Sequence, residues 1–179
     1  MNFMNYGNIK YCDIANGPGV RTSLFVSGCR HHCKGCFQPE TWDFSFGAEF
    51  NEKLEDEILK SLEPDYIAGF TCLGGEPMEP ENQPHVLHLI KRIREKFPEK
   101  NIWIYSGYTF EELTDPENKA CHTEYTAELL SLLDCLVDGE FHLDKKDLML
   151  KFRGSSNQRI LDMQKSIKEN SPVWNEEFR

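Results

Sequence analysis

Three closely spaced cysteines are the residues of this chain best suited to chemistry. Cys29, Cys33 and Cys36 have the spacing C-x3-C-x2-C, compact enough for three thiolates to reach three corners of one cuboidal cluster. Cysteine thiolates are the usual ligands of a [4Fe–4S] cluster. Because such a cluster has four irons, three cysteines leave one iron open to chelate a small molecule through an amino and a carboxylate group. The triplet therefore predicts an iron–sulfur site suited to a reaction rather than to simple electron storage.

A structural zinc site is the alternative for the same segment. His31 or His32 could supply the fourth ligand of a Cys3His set. Zinc ligands commonly come as two separated pairs, and no second pair lies downstream of the triplet. A fourth protein ligand would also close the open iron of a cluster. Both histidines are therefore expected to be exposed loop residues, with zinc kept as the competing hypothesis.

The other cysteines indicate the class of protein. The chain has 179 residues and seven cysteines. An odd number cannot all pair as disulfides, and such usage in a reducing compartment indicates metal or redox chemistry. The four isolated cysteines are expected to be buried structural thiols, since a free cysteine behaves as a small hydrophobe. They are Cys12, Cys72, Cys121 and Cys135.

Charge and hydropathy exclude several kinds of partner. The formal net charge of −10 leaves no basic excess for a phosphate backbone, so neither nucleic acid nor an anionic membrane is expected as a partner. No apolar run approaches the ~20 residues of a membrane span, and the first residues lack the pattern of a signal peptide. We therefore expect a cytoplasmic protein. Its 39% hydrophobic content is enough for one compact core, which favours a single domain over residues 1–179.

The segment Gly74-Gly75-Glu76-Pro77 is a second candidate motif. Paired glycines at the end of a strand let the backbone approach a ligand closely. Glu76 could accept a hydrogen bond from an ammonium group. A plain turn is the alternative when the motif is taken alone, and the cysteine triplet makes the binding role the better interpretation.

These motifs must be positioned by regular elements, and the chain shows a continuous strand–helix alternation. Strands are predicted at 21–27, 66–73, 102–105, 135–137 and 148–152. Helices are predicted at 51–62, 84–97, about 123–133 and about 156–168, the last capped by Ser155 or Ser156. The tail from Asn170 is expected to be loose.

Such alternation predicts a parallel sheet with helices packed on it. A closed eight-unit barrel typically needs about 250 residues, so we expect an α/β fold that forms an incomplete, laterally open (βα) barrel of about four to six parallel strands with outer helices. Ligands of such sheets bind at the carboxyl ends of the strands. The cysteine loop, the Gly74–Pro77 turn, Ser106-Gly107-Tyr108 and Asp138-Gly139-Glu140 all follow predicted strands, and we expect them to converge on one rim.

The triplet, the aromatic Phe37 that follows it and the Gly-Gly-Glu-Pro turn resemble the radical S-adenosylmethionine (SAM) superfamily. Within it, three further stretches resemble the activating proteins of anaerobic ribonucleoside-triphosphate reductases. These stretches are 16–28, 37–42 and 151–160. The chain has Asn16 where that family often has an acidic residue, so no charge-dependent role is assigned to the following Gly-Pro-Gly loop.

The resemblance implies a reaction. Cys29, Cys33 and Cys36 would hold a [4Fe–4S] cluster, and SAM would bind its open iron. One electron from the reduced cluster would cleave the sulfonium and release a 5′-deoxyadenosyl radical. That radical would take a hydrogen atom from a glycine of the reductase large subunit and leave a glycyl radical.

The resemblance also implies the residues that meet SAM. Those expected to bind it are Gly35, Cys36, Phe37, Gly74, Gly75, Glu76, Ser106 and Asp138. Phe37 would lie near the adenine and Glu76 would meet the methionyl amino group. Ser106 and Asp138 are placed by their strand-end positions to contact the ribose or the methionyl carboxylate. The roles of Tyr108, Arg153 and Asn157 stay open.

Partners and competing functions complete the expectation. The resemblance implies a complex with the reductase large subunit, through the 121–124 loop or the C-terminal tail, and a flavodoxin-like electron donor. An activase of another glycyl-radical enzyme, such as pyruvate formate-lyase, would share the triplet. A radical SAM enzyme for a free metabolite would need more chain to build its pocket. A zinc or iron–sulfur binding module without enzymatic activity is the alternative from a different class.

Overall fold

The structure is a computed structural model that describes residues 3–179. Its described strands form one sheet in the order β3-β1-β2-β4-β5-β6-β7. The strands are β1 (Asn5–Asp13), β2 (Val20–Val26), β3 (Ala48–Glu49), β4 (Ile67–Gly74), β5 (Asn101–Ser106), β6 (Cys135–Asp138) and β7 (Arg159–Asp162). The four central strands β2, β4, β5 and β6 run parallel, while β1, β3 and β7 pair antiparallel.

The predicted α/β class, the open rather than closed sheet and four of the predicted strands are confirmed, but the sheet is mixed rather than all parallel, and the partial barrel stays a prediction. The strands predicted at 21–27, 66–73, 102–105 and 135–137 correspond to the four parallel strands. The antiparallel strand β1 was missed because its side chains are mostly polar and exposed, without the alternation that signals a half-buried strand. It lies near one edge of the sheet, with only the two-residue β3 beyond it.

Helices lie in the connections between the parallel strands, and one more follows the last described strand, β7. They are α1 (Glu52–Ser61), α2 (Gln83–Lys96), α3 (Phe110–Thr114), α4 (Thr126–Ser131) and α5 (Met163–Glu169). The predicted helices at 51–62 and 84–97 are confirmed as α1 and α2, and the one at 123–133 as the shorter α4. Asn51 caps α1 by accepting a hydrogen bond from the Leu54 N–H.

The main core lies between the helices and one face of the sheet. Leu24 of β2, Phe70 of β4 and Ile104 of β5 belong to the same buried apolar cluster as Ile58 of α1 and Ile90 of α2. Because side chains alternate along a strand, this cluster leaves the intervening residues on the opposite face. A smaller buried cluster there contains Trp103, Cys135, Val137 and Ile160.

The C-terminal tail is packed on the sheet, so the prediction that it is loose was wrong. Asn175 donates its backbone N–H to the carbonyl of Ile160 at 2.8 Å, and Trp174 bridges to Leu161 of β7. The ring of Phe178 lies edge-on to Trp103, with 5.4 Å between ring centroids. The tail thus covers part of the sheet face opposite the helices.

The segment after β6 also differs from prediction. The predicted strand at 148–152 is a loop, in which Leu148 and Met149 are 85% and 88% exposed. The strand that pairs with β6 is β7, and the following helix begins only at Met163, capped by Asp162 rather than by Ser155 or Ser156. Four of the five residues at 148–152 are apolar, which predicts a strand, but no neighbouring strand pairs with the run.

None of the helices within residues 3–179 combines the length and apolar character that crossing a membrane requires.

Candidate metal centre

A cavity of about 660 Å³ opens at the carboxyl ends of the parallel strands. This volume lies within the roughly 300–1,000 Å³ typical of small-molecule sites. Cys29, Cys33 and Cys36 all line it. The other predicted site residues on its wall are Phe37, Gly74, Gly75, Glu76 and Ser106. The strand ends therefore converge as expected, although Gly35 and Asp138 are not among the residues on the wall.

The cysteine loop is fixed at its first residues. The Gly28 and Cys29 N–H groups donate to the carbonyls of Thr41 and Trp42, at 2.7 and 3.2 Å. Arg30 donates its backbone N–H and its guanidinium to Glu79, at 2.8 and 2.6 Å. Cys29 is consequently buried, while Cys33 and Cys36 are half-buried further along the loop.

The paired glycines join the end of β4 to this loop. The Gly75 N–H donates to the Val26 carbonyl at 2.7 Å, and the Glu76 N–H donates to the Gly28 carbonyl at 2.8 Å. A Cβ on Gly75 would lie 2.7 Å from that same Gly28 oxygen. Gly74 has φ of +105°, which a side chain rarely adopts. Both positions therefore require glycine, one for close approach and one for backbone conformation.

Glu76 is a fully buried carboxylate whose two oxygens each accept two hydrogen bonds. Oε1 accepts from the Met78 N–H at 2.8 Å and from the Ser106 hydroxyl at 2.9 Å. Oε2 accepts from the Gly107 N–H at 2.7 Å and lies 2.8 Å from His31 Nε2. These bonds connect the end of β4 with the end of β5 and with the cysteine loop.

The side chain of His31 is mostly buried, so the prediction that it is an exposed loop residue was wrong. Its side chain is 8% exposed, and its Nδ1 lies 2.8 Å from Glu140 while Nε2 faces Glu76. Burial alone lowers the pKa of His31, but the hydrogen bonds and charges of Glu76 and Glu140 outweigh it and raise the pKa to about 9. The imidazolium therefore donates from both nitrogens at neutral pH. Its ring also packs edge-on against Tyr108, at 4.4 Å between centroids.

The histidines are consequently poor candidates for zinc ligands. Both ring nitrogens of His31 are engaged by carboxylates. His32, exposed as predicted, stacks on Trp42 with 4.5 Å between ring centroids. Within the part of the chain that the structure describes, no three His, Cys, Asp or Glu side chains are arranged around a single metal ion.

Three thiols on one cavity wall are the donor set of an iron–sulfur cluster, and the site fits that group. Burial raises the pKa of the Cys29 thiol to about 12, with the nearby Glu76 charge adding to the rise. Burial also raises the pKa of Cys33. Because metal ligation requires thiolates, assembling a cluster here must release protons from the cysteines.

The isolated cysteines were predicted to be buried, and three of the four are. Cys72, Cys121 and Cys135 are buried. Cys12 is exposed, so its prediction was wrong. It has φ of +57° within β1, near a register shift of the strand pair.

The remaining predicted site residues lie close to the cavity. Phe37 stands on its rim, 66% exposed, with its ring centroid 5.3 Å from that of Phe141. Gly35 has φ of +77° and faces the side chain of Leu143. The buried Asp138 carboxylate accepts from the Phe110 N–H at 2.7 Å and from the Arg159 guanidinium at 2.6 Å.

Sequence reasoning missed the loop between β6 and β7 as part of the cavity wall. Residues Phe141, Lys146, Leu148, Phe152 and Arg153 line it. Leu148 and Phe152 fall within the strand predicted at 148–152, and the sequence predicts no site role for Phe141 or Lys146. A charged and aromatic segment directly after a parallel strand was the available signal, since loops in that position build ligand sites.

Comparison with known proteins agrees with this geometry. Residues 15–161 match the model of a family described as a 4Fe-4S single cluster domain. That match spans most of the chain, so the protein belongs to this class of single-cluster iron–sulfur domains.

Two relatives named anaerobic ribonucleoside-triphosphate reductase-activating protein come from Vibrio cholerae and Escherichia coli K12. They are 42% and 41% identical over 159 residues, covering 88% of this chain and 97% of each relative. A third with the same name, from Enterobacteria phage T4, is 38% identical and 93% covered. The chain belongs to the family of these reductase-activating proteins.

Proposed function

We propose that the chain is a radical SAM activase, which generates the glycyl radical of an anaerobic ribonucleoside-triphosphate reductase. The name of the relatives supports the reductase as partner, and the family model supports the [4Fe–4S] cluster. The observation that carries the proposal is the placement of three thiols and the Gly74–Glu76 turn on one cavity. Residues 1–179 would act as a single radical SAM domain.

Cys29, Cys33 and Cys36 would hold the cluster. When bound, the reduced cluster supplies one electron that cleaves the sulfonium of SAM, so that a 5′-deoxyadenosyl radical can take a hydrogen atom from a glycine of the reductase large subunit. Three cysteine ligands would leave the fourth iron free for the amino and carboxylate groups of SAM.

The chain's own residues would bind and orient SAM. Phe37, exposed on the rim, offers an aromatic face to the adenine. Gly74 and Gly75 would let the backbone approach the methionyl group. Glu76, whose two carboxylate oxygens already accept four hydrogen bonds, would hold the wall beside that group. The Ser106 hydroxyl donates a hydrogen bond to Glu76, and Ser106 lines the same cavity wall. Gly35 shapes the cysteine loop beside SAM. Asp138 accepts a hydrogen bond from Arg159 and would position the end of β6 beside the cavity.

The proposed reaction needs a low-potential electron and a reducing compartment. A flavodoxin-like protein would donate the electron. An iron that is open to SAM is also open to oxygen, so we place the reaction in the cytoplasm. The substrate is a glycine within another protein, which must reach the cavity from outside.

The test uses protein reconstituted with iron and sulfide under anaerobic conditions and reduced with dithionite. Two quantities are measured: the 5′-deoxyadenosine formed with SAM alone, and the EPR signal of the glycyl radical when the reductase large subunit is added. Cys33→Ala removes a proposed ligand, and Cys12→Ser is the matched control, because Cys12 lies outside the cavity.

We expect wild type and Cys12→Ser to give both products and Cys33→Ala to give neither. Cleavage of SAM without the glycyl radical would contradict the reductase as substrate. A fully loaded and reducible cluster that cleaves no SAM would contradict the radical reaction.

A further inference from the structure

The loop 141–154, which connects β6 to β7, carries an exposed apolar tip beside the cavity. Leu148 and Met149 are 85% and 88% exposed, the highest exposures among the large apolar side chains that are exposed in residues 3–179. Leu148 also lines the cavity, and Met149 follows it in the chain. The tip therefore continues the wall of the cavity outward into solvent.

The tip adjoins a second apolar patch on the same rim. Phe37 is 66% exposed and contacts Phe141 at the start of the loop. Leu143, 44% exposed, lies against Gly35 of the cysteine loop. Apolar residues that are contiguous and rimmed by charges mark interaction sites more often than scattered ones do.

The same loop is basic in an acidic protein. It carries Lys145, Lys146, Lys151 and Arg153 against only two carboxylates, whereas the chain as a whole has a formal net charge of −10. Lys146 lies over the Phe37 ring, 5.3 Å from its centroid. A basic rim of this kind is complementary to a partner segment that carries carboxylates.

The base of the loop is anchored although its tip is exposed. Tyr105 donates its hydroxyl to the Phe152 carbonyl at 2.7 Å, and the Phe152 ring packs edge-on against Trp103. Lys146 bridges to Ser155 across the loop. Anchoring reduces the entropy lost on binding, as a docking surface requires.

We propose that loop 141–154, together with Phe37, is the docking surface for the glycine-bearing segment of the reductase large subunit. That segment would present apolar residues flanked by carboxylates. The inference rests on the proposed function, which requires a protein glycine to enter this cavity. The regions expected from the sequence to dock, the 121–124 loop and the C-terminal tail, do not line this cavity.

Two loop variants and two matched controls test the proposal. Met149→Asp changes the apolar tip, and Lys145→Glu/Lys151→Glu reverses its charge; none of these residues lines the cavity. Tyr66→Asp is the apolar control, since Tyr66 is 67% exposed at the start of β4, the opposite end of the sheet. Lys53→Glu/Lys60→Glu on the exposed side of α1 is the charge control.

Binding to the purified large subunit is measured directly with each variant, because binding does not depend on SAM cleavage. The reductase concentration that half-saturates glycyl-radical formation is measured in parallel, with SAM cleavage in the absence of reductase as the basal activity. We expect both loop variants to raise the dissociation constant and the half-saturating concentration about tenfold or more, as loss of central interface contacts does. Basal cleavage and both controls stay at wild-type values.

Wild-type binding by both loop variants would overturn the docking surface, whatever the activity of the protein. A wild-type protein that binds the reductase but cleaves no SAM would overturn the proposed function. The binding constants of the variants would still test the docking surface. An equal loss of binding in the controls would also overturn the proposal, since the effect would then reflect total charge or general surface change.

Discussion

Glu76 and His31 connect three strand ends through one buried pair. The Glu76 carboxylate receives hydrogen bonds from β5 and from its own turn, and the His31 imidazolium links it to the cysteine loop. A buried carboxylate that loses its cation keeps its desolvation cost. The position of the cysteine loop thus depends on a residue that is not itself a ligand.

The two neighbouring histidines give a matched prediction. His31→Ala should lower the free energy of unfolding of the metal-free protein by about 3 kcal/mol at pH 7, because Glu76 is left buried without its cation. His32→Ala should cost less than about 1.5 kcal/mol, the contribution of one aromatic stack on Trp42. Urea denaturation followed by circular dichroism measures both. Equal losses would contradict the role assigned to His31.

The proposed cluster ligands follow from the sequence, whereas the residues that support their loop do not. Spacing alone identifies Cys29, Cys33 and Cys36, because all three lie on one short loop. The burial of His31 depends on Glu76 and Glu140, which are 45 and 109 residues away in the chain. Single-sequence reasoning has no access to such pairs.

At the scale of elements, the strand ends are held together by backbone contacts. The turn after β4 bonds to the Val26 and Gly28 carbonyls at the end of β2. This close approach depends on the absence of a side chain at Gly75, where a Cβ would lie 2.7 Å from the Gly28 oxygen and 2.9 Å from the Thr41 oxygen.

Gly75→Ala should therefore separate the β4 turn from the cysteine loop. We expect a loss of about 1–3 kcal/mol in the free energy of unfolding, typical of overpacking, together with reduced iron uptake on reconstitution. Gly154→Ala is the control, because its Cβ would meet side chains rather than backbone: the Phe141 ring at 3.1 Å and Gln158 Oε1 at 3.6 Å. Urea denaturation and iron analysis report the two effects. Wild-type stability and iron content in Gly75→Ala would contradict the close approach.

The ion pair between α3 and β7 predicts a pH dependence. The Arg159 hydrogen bond lowers the pKa of Glu111, so the pair stabilises the fold above the usual glutamate range and is lost as pH falls through the lowered pKa. Because the Glu111 side chain is 56% exposed, Glu111→Gln should cost less than about 1 kcal/mol at pH 7.

That difference from wild type should vanish in acid, where both proteins carry an uncharged side chain at position 111. The free energy of unfolding, measured from pH 7 down to about pH 3, checks this, with the exposed Glu117→Gln as control. A difference that grows as the pH falls would have the wrong sign for a lowered pKa.

Elements with strong periodicity were predictable, and short ones were not. The apolar stripe that includes Val86, Ile90 and Ile93 predicted α2 within one residue at each end. The five-residue α3 is too short for a periodic signal, although its capping box of Thr109 and Glu112 was available in the sequence. The strand predicted at 148–152 is wrong because Leu148 and Met149 face solvent at the cavity rim and no strand pairs with the run.

At the scale of the whole molecule, the two faces of the sheet are covered by different parts of the chain. One face and the helices form the main core, while the opposite face carries the smaller cluster, the tail and the loop 141–154. The antiparallel strands at both edges could not be inferred from strand–helix alternation, which describes only the parallel centre. The site lies where that centre ends.

Mössbauer spectroscopy of protein reconstituted with iron-57, recorded before and after addition of SAM, tests the central claim most directly. A [4Fe–4S] cluster held by Cys29, Cys33 and Cys36 has one iron without a cysteine ligand. We expect SAM to change the isomer shift of one iron in four and to leave the other three nearly unchanged. Four irons that stay alike in the presence of bound SAM, or full iron loading in Cys33→Ala, would contradict it.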